Sequence, residues 1–186
     1  MSRRLITKTI AVFATAIFLL QFSTSVTAQN LTGDSIKAQF IRDWVRAKSY
    51  TLEYLNAMPA DKYSFKAVDS IRSFAQQMLH LASGNAGLIH FATGVRAGFP
   101  MNLEKSPTAQ NKDSVVYYVT NSFDIAIQGL KDFDPAKFGE EVDMRGEKVS
   151  RFALFEKAFE HQTHTLGQTT IYIRLVGIRP PAERLF

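Results

Sequence analysis

Phe159-Glu160-His161-Gln162-Thr163-His164-Thr165-Leu166-Gly167-Gln168-Thr169-Thr170-Ile171-Tyr172-Ile173-Arg174-Leu175-Val176-Gly177 carries the pattern that decides how this chain folds. With Leu154 and Ala158 before it, positions His161, Thr165, Gln168, Tyr172 and Leu175 alternate in steps of four and three residues. That spacing is the inward seam of a long bundle helix. The seam is apolar at its ends and polar in the middle, at His161, Thr165 and Gln168. An unpaired buried polar group costs about 1–3 kcal/mol. These three side chains therefore need core partners or water, or they form a site. Gly177 and Pro180-Pro181 stop the helix.

Working outward, three further helices are expected. The first is capped by Asp34 or Ser35 and runs to about Asn56, with Phe40, Ile41, Trp44, Val45, Leu52 and Leu55 on its apolar side. The second is capped by Asp69 or Ser70 and runs to about Thr93. Its seam is Ile71, Phe74, Met78, Leu81, Asn85, Leu88 and Ala92. Beside it lies a smaller, more polar row of Ser73, Gln77, His80, Gly84, Gly87 and Phe91. A glycine inside a helix costs roughly 0.5–1 kcal/mol relative to alanine, so the pair implies close approach of another helix or room for a ligand. The third helix spans Asp113–Phe133. Between the second and third, residues 94–111 form a long loop, either a plain crossover or a lid over a pocket. Residues 141–149 suit a small hairpin turning at Arg145-Gly146, and Ser150 caps the last helix. The expectation is an all-α four-helix bundle of the up-and-down type over residues 35–178.

Composition bounds the function. The 186 residues are 46% hydrophobic and include 15 Phe, enough for one substantial core. The net charge of +5 is inflated by Arg3, Arg4 and Lys8, which precede position 28 with no acid among them. The remainder is nearly balanced and has no basic stripe of the kind a nucleic-acid surface needs. Met1–Ala28 has the form of a secretory signal peptide: a basic start, an apolar run from Ile10 to Phe22, and Val26-Thr27-Ala28 before Gln29. Residues 29–34 then serve as a linker, 35–181 as the bundle domain and 182–186 as a tail, with no membrane attachment after cleavage. There is no cysteine, which excludes disulfides, thiolate ligands and a lipidated cysteine. A periplasmic or secreted location is expected. Mass spectrometry of the protein from its native host should find the N-terminus at Gln29, and a full-length cytoplasmic chain would defeat that expectation.

His161-Gln162-Thr163-His164-Thr165-Leu166-Gly167-Gln168 and the following Arg174-Leu175-Val176-Gly177-Ile178-Arg179-Pro180-Pro181 resemble the last helix and tail of the DinB/YfiT-like superfamily, and Met78-Leu79-His80-Leu81-Ala82 resembles its second-helix motif. The resemblance runs from about Ser35 to Pro181. It implies a four-helix fold and a divalent metal, nickel or zinc, held by one histidine of the second helix and two of the last, four residues apart. His80 and His161 take two of those places. Thr165 stands in the third, which implies low metal occupancy or none. Activities in the superfamily include metal-dependent transferases using low-molecular-weight thiols, a thiol-dependent isomerase and hydrolases.

The residues themselves leave several readings open. His164 is about 60° from His161 round the helix and could reach inward as a third ligand, or could simply flank the site. His80, His161 and His164 are thus the candidate metal ligands. Without metal, His161 would be a core histidine bonded to Gln168, Asn85 or water, or a general base. His90 lies about 80° round from His80 and should not share its site. One function is an exported DinB-like protein with a degenerate divalent-metal site, acting as hydrolase or transferase. The alternatives are a metal-free bundle that binds an unknown small molecule, or one acting through a protein partner or homodimer face. Whether it is an enzyme stays open.

Overall fold

A computed structural model describes residues 31–186, and the expected signal peptide lies outside them. Among the described residues four long α-helices form: α1 (Gly33–Ala57), α2 (Phe74–Thr93), α3 (Lys112–Asp132) and α4 (Arg151–Leu175), with a hairpin of β1 (Glu141–Met144) and β2 (Glu147–Ser150) before α4. None of these helices is long and apolar enough to cross a membrane.

Each helix begins where a side chain can take up its free N–H groups. Thr32, Ser73, Asn111 and Ser150 accept from the backbone N–H three residues on. Helix α2 starts at Phe74, later than Asp69 or Ser70 would allow. Ser73 forms a reciprocal capping box with Gln76, and the N–H groups of Phe74 and Ala75 go to the carbonyls of Phe65 and Tyr63. The preceding loop thereby supplies partners that an earlier start would waste. The hairpin turns at Arg145 (φ 58°) and Gly146 (φ 94°), the pair of positive φ angles that a two-residue turn needs. Gly177 (φ 83°) ends the chain's last helical turn.

The helix directions correct the up-and-down expectation. Lys37 at the start of α1 donates to the carbonyls of Lys131 and Phe133 at the end of α3, while Lys112 at the start of α3 reaches the Met58 carbonyl. These two helices are therefore antiparallel. Helices α2 and α3 run parallel: Asn85 meets Ser122, and Ile89 and Thr93 meet Gly129. Helix α4 is antiparallel to α2, since Arg151 reaches the Ala92 carbonyl and Tyr172 the Arg72 carbonyl. The order is up, down, down, up. Two consecutive parallel helices need a connection that returns the length of the bundle, and residues 94–111 are that connection. They travel back along α2 through two short 3-10 turns, Leu103–Lys105 and Pro107–Ala109.

The core is aromatic at one end. Phe40, Phe133, Phe138, Phe152 and Phe155 interlock with ring centroids 5.0–6.3 Å apart. Such pairs are worth about 0.5–1.5 kcal/mol each beyond the area they bury. Trp44 is fully buried between Phe123 and Phe159, as an anchor of α1. The seam of α4 also differs from its simple spacing. Leu175 and Gln168 lie on the exposed side, His161 is half-buried, and the polar residues inside are Gln162, Thr165 and Thr169. The buried face is broader than one four-three row because α4 packs between α1 and α2 and must present apolar surface to both.

Candidate functional site

Antiparallel packing of α2 on α4 brings His80 and His161 to one level. Their Nε2 atoms are 3.3 Å apart, with ring centroids 5.1 Å apart. Gly84, one turn beyond His80, makes this possible. A Cβ built on it would lie 2.0 Å from Cε1 and 2.4 Å from Nδ1 of His161. The Cε1 side of the imidazole occupies the space a side chain at position 84 would need, so this glycine serves close approach.

The other nitrogen of His80 is fixed from outside the bundle. Its Nδ1 lies 2.9 Å from Glu104 Oε2, on the returning segment between α2 and α3. Arg72 holds the same carboxylate through Nε at 3.2 Å and Nη2 at 3.4 Å. A carboxylate clamped by a guanidinium accepts a proton donor, so His80 carries its hydrogen on Nδ1 and turns the Nε2 lone pair toward His161. The long loop thus reaches His80 through Glu104. Sequence reasoning missed Glu104 and Arg72. The one available signal was that Glu104 is the only acid in residues 94–111.

His161 Nδ1 is buried without a hydrogen-bond partner. Burial, then the proximity of His80, His164 and Arg72, holds this imidazole below the ordinary histidine range. The unfolded chain would take up a proton near pH 6.5 that the folded chain refuses, so stability is present above that pH and lost as pH falls through it. Denaturant unfolding in the presence of a chelator should therefore show stability dropping between about pH 7.5 and 5.5. The slope should approach 1.4 kcal/mol per pH unit at most, and His161→Asn should flatten it.

The remaining candidates make other contacts. His164 Nε2 accepts from the Gln168 amide at 2.9 Å, and Gln168 also accepts from Gln77 across the helix pair. His164 Nε2 is thereby engaged within α4, although His164 and His161 line the same surface pocket. Thr165 is buried, one turn beyond His161. His161 bonds to neither of its expected metal-free partners: Asn85 donates to Ser122 and Gln168 is engaged as above. His90 Nδ1 faces the Val95 carbonyl, apart from the pair. Among the described residues no cluster of three histidine, aspartate or glutamate side chains is drawn together to hold a metal ion. The donor set thus fits two imidazole positions and lacks the third.

The sequence model of the DinB family matches residues 27–184. The chain belongs to the DinB family. This DinB-family chain is also similar to two solved structures. One is a DinB-like protein from Bacillus cereus ATCC 10987, at 15% identity and a TM-score of 0.68, covering 78% of this chain and 95% of that one. The other is a DinB-like protein from Bacillus subtilis, at 21% identity and a TM-score of 0.58, covering 80% and 96% respectively. At such identities the likeness concerns the fold alone. No curated protein matches this DinB-family sequence.

Proposed function

We propose that this protein is an exported DinB-family member that binds a divalent cation weakly, through His80 and His161, at a centre reduced from three imidazoles to two. One observation carries the reading. The 3.3 Å between the two Nε2 atoms equals the edge of a tetrahedron whose metal–nitrogen bonds are about 2.0–2.1 Å. It is also long for an N–H···N hydrogen bond. The Glu104–His80 contact supports it further, because a carboxylate on the far nitrogen orients a ligating imidazole and raises its basicity. A bound ion would supply Lewis acidity to whatever reached it. With two protein ligands, cation binding is better supported than hydrolase or transferase turnover.

The rival is a metal-free bundle. Its specific support is that the polar chain can close unaided: Arg72 to Glu104, His80 Nδ1–H to Glu104, and His161 Nε2–H to the His80 Nε2 lone pair. Competition titration of zinc and nickel against a chromophoric chelator separates the two. Wild type should take up one ion per chain, His80→Ala and His161→Ala should take up none, and Glu104→Gln should bind about 10–100-fold more weakly. Wild type indistinguishable from His161→Ala would favour the metal-free bundle.

A further inference from the structure

The opposite side of α4 holds a second unassigned feature. Helices α1 and α4 run parallel, touching through Trp44 on Phe159 at one level and through the Tyr54 hydroxyl on Thr170 Oγ1 at another, 3.1 Å apart. Residues of both helices around those levels line a cavity of about 490 Å³. The C-terminal segment lines one side of it. Arg46 Nη1 donates to the Arg184 carbonyl at 2.7 Å, and the Arg184 guanidinium bonds Glu53 at 2.6 Å and Ser49 Oγ at 3.2 Å. At about 100° per residue, the row Gln162, Leu166, Thr170, Arg174 points away from His161, so this cavity is separate from the imidazole pair.

We propose that this cavity is a binding site for a small organic anion, a carboxylate carried on an apolar body. The apolar body has Phe159, Leu166, Pro180, Pro181 and Leu185 to lie against. The polar end has the hydroxyl chain Tyr50–Tyr54–Thr170, each link 3.1 Å. Of the buried groups without a protein partner beside the cavity, Arg46 Nε is a donor of the kind a carboxylate accepts from. A buried donor left without a partner beside a cavity suits a ligand group that only accepts hydrogen bonds. The charge selects an anion. Arg46, Arg174 and Arg184 line the cavity against one carboxylate, Glu183. Arg46 and Arg184 are engaged with Asp43 and Glu53, but Arg174 has no acidic partner among the described residues. Its guanidinium remains available to a carboxylate in the bidentate geometry arginine favours.

The test is calorimetric titration of the full chain with dodecanoate, dodecanol and dodecyltrimethylammonium, each below its micelle concentration. Dodecanoate should bind one per chain and at least about tenfold tighter than dodecanol, with no uptake of the cation. Arg174→Gln should remove the preference for dodecanoate without changing the melting temperature. Gly167→Trp should block both ligands, and it should fold because a Cβ at Gly167 meets nothing within 4 Å. His161→Ala should bind dodecanoate as wild type does, so the outcome stands apart from that of the metal titration. Equal binding of all three amphiphiles, no binding of dodecanoate, or wild-type dodecanoate affinity in either Arg174→Gln or Gly167→Trp would overturn the proposal.

Discussion

Gly84→Ala should destabilise the wild-type protein yet stabilise the His161→Ala variant. In an ordinary helix interior, alanine in place of glycine gains about 0.8–1 kcal/mol. Here the new Cβ would stand 2.0 Å from His161 Cε1, 2.4 Å from Nδ1 and 2.8 Å from Nε2. No side chain tolerates such distances, so the imidazole must swing out of the α2–α4 interface. Overpacking of that kind costs about 1–3 kcal/mol, enough to outweigh the propensity gain. The displaced ring also leaves His80, so zinc or nickel uptake should fall to the level of His161→Ala. With residue 161 already alanine the obstruction is gone and only the propensity gain remains. A double-mutant cycle by denaturant unfolding isolates this coupling. An equal effect of Gly84→Ala in both backgrounds would mean that the imidazole does not rest on Gly84.

Thr165→His should tighten zinc or nickel binding by at least about tenfold, or 1.4 kcal/mol, while lowering the melting temperature. Position 165 follows His161 by four residues, one turn along the same side of α4, where a third imidazole would restore the ligand spacing of the family resemblance. Thr165 is only 1% exposed, so the larger ring must displace neighbours, at a cost of about 1–3 kcal/mol. Affinity and stability should thus move in opposite directions, a signature that general stiffening of the bundle would not give. Adding His161→Ala should abolish the gain in affinity. A Thr165→His protein that binds no better than wild type would leave the two-imidazole reading without support and favour the metal-free bundle.

Much of this molecule follows from local rules written in its residues. The helix ends at Ser150 and Gly177, the turn at Arg145-Gly146 and the four helical periods obey capping, positive-φ and spacing preferences that act within a few residues. The glycine row beside His80 signalled a close approach on α2. Which side chain would come that close depended on the level at which α2 and α4 cross. That level is a property of the packed core. Helix direction was equally hidden, because residues 94–111 are compatible with either a short hop or a full return. Only packing decided that they run back along α2 and deliver Glu104 to His80.

The four-three spacing in α4 marked His161, Thr165 and Gln168 as inward. A helix wedged between two neighbours instead buries Gln162, Thr165 and Thr169 and leaves Gln168 at the edge, where it meets Gln77 and His164. The cavity beside α1 has no trace in the linear pattern. Its walls join residues from 46 to 185, brought together by α1, α4 and the C-terminal segment. Local chemistry in the sequence by itself determined the elements and nominated the histidines. The tertiary structure decided which nitrogen faces which, since that depends on contacts between residues as far apart as 80 and 161.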